Sequence, residues 1–124
     1  MAAGDWRQIG AGLDWLGTVA GVLHEGKLFT AEGSGALYVT DLSNGVYRRI
    51  GKLDFAGTKL AFSIDGDIYT IENSGSLYII DPQKGSWERL GQAGEWANTI
   101  AGVALNGKIY TVETTGLLYS TDPK

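Results

Sequence analysis

Three acid–aromatic pairs recur along the chain, at Asp14-Trp15, Asp54-Phe55 and Glu95-Trp96, and a threonine follows each one, at Thr18, Thr58 and Thr99. A second set of acids opens three short turns: Glu32-Gly33-Ser34-Gly35, Glu72-Asn73-Ser74-Gly75 and Glu113-Thr114-Thr115-Gly116. An aromatic face flanked by carboxylates suits sugar recognition. The ring covers the C–H patch of a pyranose, and the carboxylates accept from its hydroxyls, with no cofactor needed. Repeated sites would add multivalency. The same residues suit a purely structural role equally well. The aromatic can wedge between layers with its N–H held by a nearby Glu, and the Glu can accept hydrogen bonds from the turn. Both uses would repeat, so repetition does not separate them.

Catalysis has less support. A carboxylate acid/base pair needs two unlike environments, whereas Glu32, Glu72 and Glu113 are copies of one position. The reading is therefore not an enzyme. The single histidine, His24, is expected at a solvated turn, with no second His and no Cys to build a metal site. No metal and no cofactor is expected. The glycines are spread among turns and do not cluster ahead of a helix as a phosphate loop would. A net charge of −4 argues against a nucleic-acid partner. No stretch reaches the ~18 apolar residues of a membrane helix. The opening Met1-Ala2-Ala3-Gly4-Asp5 lacks the basic and apolar segments of a signal peptide, so the expected location is the cytoplasm by default.

The elements that carry these residues follow from an internal repeat. Trp6-Arg7-Gln8-Ile9-Gly10 returns as Tyr47-Arg48-Arg49-Ile50-Gly51 and as Trp87-Glu88-Arg89-Leu90-Gly91, at spacings of 41 and 40 residues. Between these anchors, "EGKLFTAEGSGALYVTD", "DGDIYTIENSGSLYIID" and "NGKIYTVETTGLLYSTD" align without a gap. Each unit reads as four short strands. The first carries small residues at Gly21, Ala61 and Gly102 and ends at Glu25-Gly26, Asp65-Gly66 or Asn106-Gly107. Such pairs supply the positive φ angles of a tight hairpin. The next two strands alternate around a Ser/Thr-Gly turn, and the fourth is the Trp/Tyr strand. Runs of about five β-branched and aromatic residues between glycines favour strand over helix. Phe29, Tyr69 and Tyr110, with Tyr38, Tyr78 and Tyr119, are expected in the core between units. Trp6, Tyr47 and Trp87 are expected to pack on the outer strand.

A four-stranded unit of about 40 residues is the mark of a propeller blade. Through "LNGKIYTVE" and the Gly-Leu-Leu-Tyr and Trp-x-x-[Ile/Leu]-Gly segments, the unit resembles the kelch and the tectonin/tachylectin repeats of β-propellers. The double Gly that kelch places after its second strand is absent; Glu32-Gly33, Glu72-Asn73 and Glu113-Thr114 stand there. The resemblance implies an all-β propeller and assigns no functional residue. It divides the chain into an outer closing strand at 1–10, a first blade at 11–51, a second at 52–91, and the first three strands of a third at 92–124.

Closed propellers have about four to eight blades, and an open arc of three leaves bare faces and unpaired edges. The simplest resolution is a homodimer with intermolecular strand exchange. Trp6–Ile9 of one chain completes the last blade of another, and two chains make a six-bladed ring; three would make nine. A propeller places the acid–aromatic loops and the Glu turns on one rim. The first functional reading is thus a non-enzymatic, lectin-like recognition module. Its ligand-binding residues are Asp14, Trp15, Glu32, Asp54, Phe55, Glu72, Glu95, Trp96 and Glu113, and its ligand class is glycan. The alternative is a self-assembling scaffold or engineered half-propeller without a natural ligand.

Overall fold

The computed structural model describes residues 2–10 and 12–124. Eleven strands are present in chain order: β1 (Thr18–His24), β2 (Lys27–Glu32), β3 (Leu37–Thr40), β4 (Tyr47–Ile50), β5 (Thr58–Ile64), β6 (Asp67–Glu72), β7 (Leu77–Ile80), β8 (Trp87–Leu90), β9 (Thr99–Leu105), β10 (Lys108–Glu113) and β11 (Leu118–Thr121). They form three antiparallel meanders: β1-β2-β3-β4, β5-β6-β7-β8 and β9-β10-β11. These are two complete blades and the first three strands of a third. Among the described residues no helix is long and apolar enough to cross a membrane.

Local chemistry sets the hairpins. The β1–β2, β5–β6 and β9–β10 turns place two successive residues at positive φ: Glu25 and Gly26 at 49° and 79°, Asp65 and Gly66 at 48° and 87°, Asn106 and Gly107 at 51° and 80°. This is the turn whose twist matches that of its flanking strands. Each inner strand also carries a β-bulge near the end that holds its threonine. Thr18 pairs with Glu32 and Ala20 with Ala31, so Val19 is the extra residue; Thr58 and Leu60 repeat the pattern in the second blade. The third blade has the corresponding shift between Val112 and Glu113. A bulge re-aims the side chains around it. Here it brings each threonine opposite its glutamate.

The blades stack face to face around their inner strands. β1 lies beside β5 and β5 beside β9, whereas the outer strands β4 and β8 make no comparable approach. The sheets therefore fan outward. Small residues make this possible: a Cβ on Gly102 would stand 3.0 Å from the Phe62 ring and from the Tyr110 carbonyl. Two cores fill the gaps between blades. Phe29, Leu37, Val39 and Ile50 of the first blade meet Phe55, Ile68 and Ile80 of the second. Phe62, Ile64, Tyr69, Ile71 and Leu77 of the second meet Ile109, Ala104 and Trp96 of the third.

Two expectations need correction. His24 is not a solvated turn residue. It ends β1, is 3 % exposed, and its Nδ1 lies 2.7 Å from Ser63 Oγ on β5, in the junction between the first two blades. The strand carries it inward before the turn begins, where its ring stands edge-on to Phe29 of its own blade. Tyr38 and Tyr78 are half-buried and do not sit in the inter-blade core. They pack within their own blades, against Tyr47 at 4.7 Å and Trp87 at 4.9 Å between ring centroids. Phe29 and Tyr69 do lie in the core; Tyr119 is exposed on the third blade.

Candidate functional site

Each blade brings its acid, its aromatic and its turn glutamate to one rim. The glutamate is bonded to the inner strand of its blade. Thr18 Oγ1 donates to Glu32 Oε2 at 2.7 Å and Thr58 Oγ1 to Glu72 Oε2 at 2.6 Å, and Thr99 donates in the same way to Glu113. Glu32 and Glu113 are buried. Burial pushes the Glu72 carboxyl above the usual carboxylate range, and the Thr58 hydroxyl pulls it part of the way back. A buried acid with a hydroxyl donor stitches the inner strand to the rim turn. It is also already partnered before any ligand arrives.

The first acids have partners too. Trp87 Nε1 donates to Asp54 Oδ2 at 2.9 Å, and the Tyr47 hydroxyl approaches Asp14 Oδ1 at 3.4 Å. The Asp14 charge raises the Tyr47 phenol above its ordinary value. Both contacts run from the rim loop to the outer strand of the same blade, 33 residues further along the chain. That spacing, common to 14→47 and 54→87, is the sequence signal for these lid aromatics; taking Tyr47 and Trp87 only as outer packing left it unused. In the third blade Glu95 has no outer strand within its own chain, and its Oε1 accepts the Gln92 N–H at 2.8 Å.

The aromatics in the loops differ in depth. Phe55 is buried in the first inter-blade core, and Trp96 packs against the second. Trp15 is half-buried, stands edge-on to Tyr47 at 5.6 Å, and keeps its indole nitrogen buried without a hydrogen-bond partner.

The space left for a ligand depends on the blade. In the complete second blade, Asp54, Phe55, Glu72, Thr70, Tyr78 and Trp87 enclose a cavity of about 50 Å³. Small-molecule sites usually offer about 300–1,000 Å³. In the third blade the corresponding place is a groove of about 480 Å³, lined by Glu95, Trp96, Glu113, Leu117 and Tyr119 among others. The difference is the outer strand: Trp87 roofs the cavity in the second blade, and no strand covers β11 in the third. Among the described residues no group of three or more His, Cys, Asp or Glu is arranged to hold a metal ion.

No family model matches the chain, and no curated protein matches it. Its fold, however, is shared with solved structures. YCF48 from Cyanidioschyzon merolae superposes with a TM-score of 0.63 at 10% identity, over 86% of this chain and 38% of that one. The N-terminal domain of Nup159 gives a TM-score of 0.54 at 16% identity, over 81% of this chain and 26% of that one. The computationally designed protein Ika4 gives 0.50 at 9% identity, over 86% of this chain and 91% of that one. These are β-propeller proteins and a designed propeller, and at such identities they establish the fold alone. The chain spans about a quarter of the Nup159 domain and well under half of YCF48.

Proposed function

We propose that the protein is a non-enzymatic, self-assembling propeller scaffold, and that two copies close a six-bladed ring by exchanging the strand Trp6–Ile9. The observation that carries this reading is the contrast between the roofed cavity of the second blade and the open groove of the third. The roof is an aromatic–x–x–Ile/Leu–Gly strand, and the chain holds one more such strand than it uses. Trp6 is 87 % exposed, and its segment has no sheet partner within its own chain.

The repeat supplies the register. Leu37 pairs with Ile50 and Leu77 with Leu90, so Leu118 would pair with Ile9 of the second copy. Thr40 pairs with Tyr47 and Ile80 with Trp87, so Thr121 would pair with Trp6, and the Trp6 indole would reach Glu95 as Trp87 reaches Asp54. The N-terminal segment already approaches its own first blade as a preceding outer strand would. A Cβ on Gly45 would meet Gly10 Cα at 2.6 Å, just as a Cβ on Gly85 would meet Gly51 Cα at 2.7 Å.

Within this reading the rim carboxylates brace each blade, and the lectin-like reading takes second place because its acids already accept from Thr, Tyr, Trp or, for Glu95, a backbone N–H. The resemblance to kelch and tectonin repeats then concerns blade construction only.

Solution mass tests the proposal. Light scattering of the full chain is expected to give twice the chain mass, and removal of residues 1–10 is expected to give monomer. A wild-type monomer at all concentrations, or a shortened chain that still dimerises, would sink the strand exchange. A glycan array on the wild-type dimer addresses the lectin-like reading separately: binding lost on changing Trp15, Phe55 and Trp96 to Ala, with the fold kept, would restore it.

A further inference from the structure

Trp15 is out of step with its two counterparts. The backbone N–H of Phe55 donates to the Gly35 carbonyl at 2.9 Å, and that of Trp96 to the Gly75 carbonyl at 2.8 Å. Each of these aromatics thus wedges into the core behind it while seated on the rim turn of the preceding blade. Trp15 has the same local turn. Thr18 N–H donates to the Trp15 carbonyl at 3.1 Å, matching Thr58 to Phe55 at 3.2 Å and Thr99 to Trp96 at 3.1 Å. What it lacks is a preceding blade. Its ring folds onto Tyr47, and its indole N–H is left buried and unsatisfied, which is unfavourable.

The missing seat is at the far end of the chain. Gly116 has φ +90°, close to +99° at Gly35 and +94° at Gly75. A Cβ on Gly35 would strike the Leu53 carbonyl oxygen at 2.6 Å and one on Gly75 the Ala97 nitrogen at 2.5 Å, yet nothing stands within 4 Å of Gly116. The apolar lining matches as well. Phe62, Ile64, Ile71 and Leu77 form the face that receives Trp96. Their third-blade equivalents Val103, Leu105, Val112 and Leu118 are all exposed, and so is Leu23 on the first blade, which is the equivalent of Ala104.

Resting on the ring reading above, we infer that Trp15 is the wedge of the junction between chains. It leaves Tyr47, donates its backbone N–H to the Gly116 carbonyl of the second copy, and seats its ring on that copy's Val112 and Leu118. Leu23 then meets Leu105 of the second copy where Ala104 meets Ile64 within one chain. A large aromatic entering a desolvated apolar seat at the centre of an interface is the usual form of a binding hot spot.

The test compares Trp15→Ala with Trp15→Phe by sedimentation over a dilution series. Phe55 shows that Phe serves at this position, so Trp15→Phe should keep the dimer. Trp15→Ala should weaken it by at least ~30-fold, the change expected of a hot-spot truncation, without loss of β signal in circular dichroism. Hydrogen exchange on the wild type gives an independent reading: the Trp15 amide should be protected in the dimer and become exchangeable on dilution to monomer. A wild-type dimer whose affinity ignores Trp15→Ala, or whose Trp15 amide exchanges freely, overturns the wedge and leaves strand exchange standing. A wild-type monomer overturns both. If Trp15→Ala precipitates, the exchange measurement on the unaltered protein decides.

Discussion

The second and third blades follow the same pattern of apolar positions and present opposite surfaces. Leu77 is 2 % exposed and Leu118 is 70 %; Ile64 is 5 % exposed and Leu105 is 58 %. Nothing in the residues themselves explains this. The second blade has a neighbour on each face and an outer strand along its edge, and the third has one neighbour and no outer strand. Large exposed apolar faces on soluble proteins mark interaction sites. The comparison shows that equivalent side chains are core or exposed surface according to what stacks on them.

The sharpest way to break the comparison is to truncate the paired leucines. Leu77→Ala should cost about 2–5 kcal/mol in chemical denaturation, the usual range for a fully buried leucine. Leu118→Ala should cost as much at high protein concentration and almost nothing in the dilute monomer. Equal insensitivity at every concentration would mean that the third blade's face stays open to water.

The Thr–Glu stitches offer a second, smaller contrast. Thr58→Val leaves Glu72 without its hydroxyl donor and should destabilise by about 1–3 kcal/mol. Thr18 is exposed at the open end of the first blade, so Thr18→Val should cost less in the monomer and approach the Thr58 value only in the ring. Urea midpoints for the two variants across a dilution series check this. Ser63→Ala removes the partner of His24 Nδ1 and should cost about 1 kcal/mol. The double change His24→Ile with Ser63→Ala copies the Ile64–Ala104 junction and should recover that loss, as thermal melts of the single and double variants would show.

The smallest effect concerns pH. Burial raises the Glu72 carboxyl above its ordinary 4.5, so over the interval from that value up to the raised one the folded chain holds more protons than the unfolded chain. Stability from this group is therefore fully present below 4.5 and falls as pH climbs through the raised value. Glu72→Gln should flatten this slope, gaining on the wild type as pH increases. An unchanged slope would mean that Glu72 is better solvated than its position indicates.

Much of this was legible along the chain. The Asp-Gly and Asn-Gly turns, the alternation of strands such as Lys108–Glu113 and the recurrence of Trp-x-x-Ile-Gly gave the blades and their order, because hairpins and pleats depend on neighbours a few residues apart. The acid–aromatic loops and the rim glutamates could be placed on one rim for the same reason. What each of them does there was not legible. Whether Glu72 accepts from Thr58 or from a ligand depends on a bulge, and whether Trp87 roofs Asp54 depends on how far the sheet twists.

His24 makes the division plain. By itself the sequence set the repeating antiparallel units and their tight turns, since these rest on local backbone preference and on side-chain alternation. Only the stacking of one sheet on the next decided that His24 is buried against Ser63, that Asp54 is roofed by Trp87, and that Leu118 faces water, because burial belongs to the pair of surfaces in contact and neither surface carries it alone.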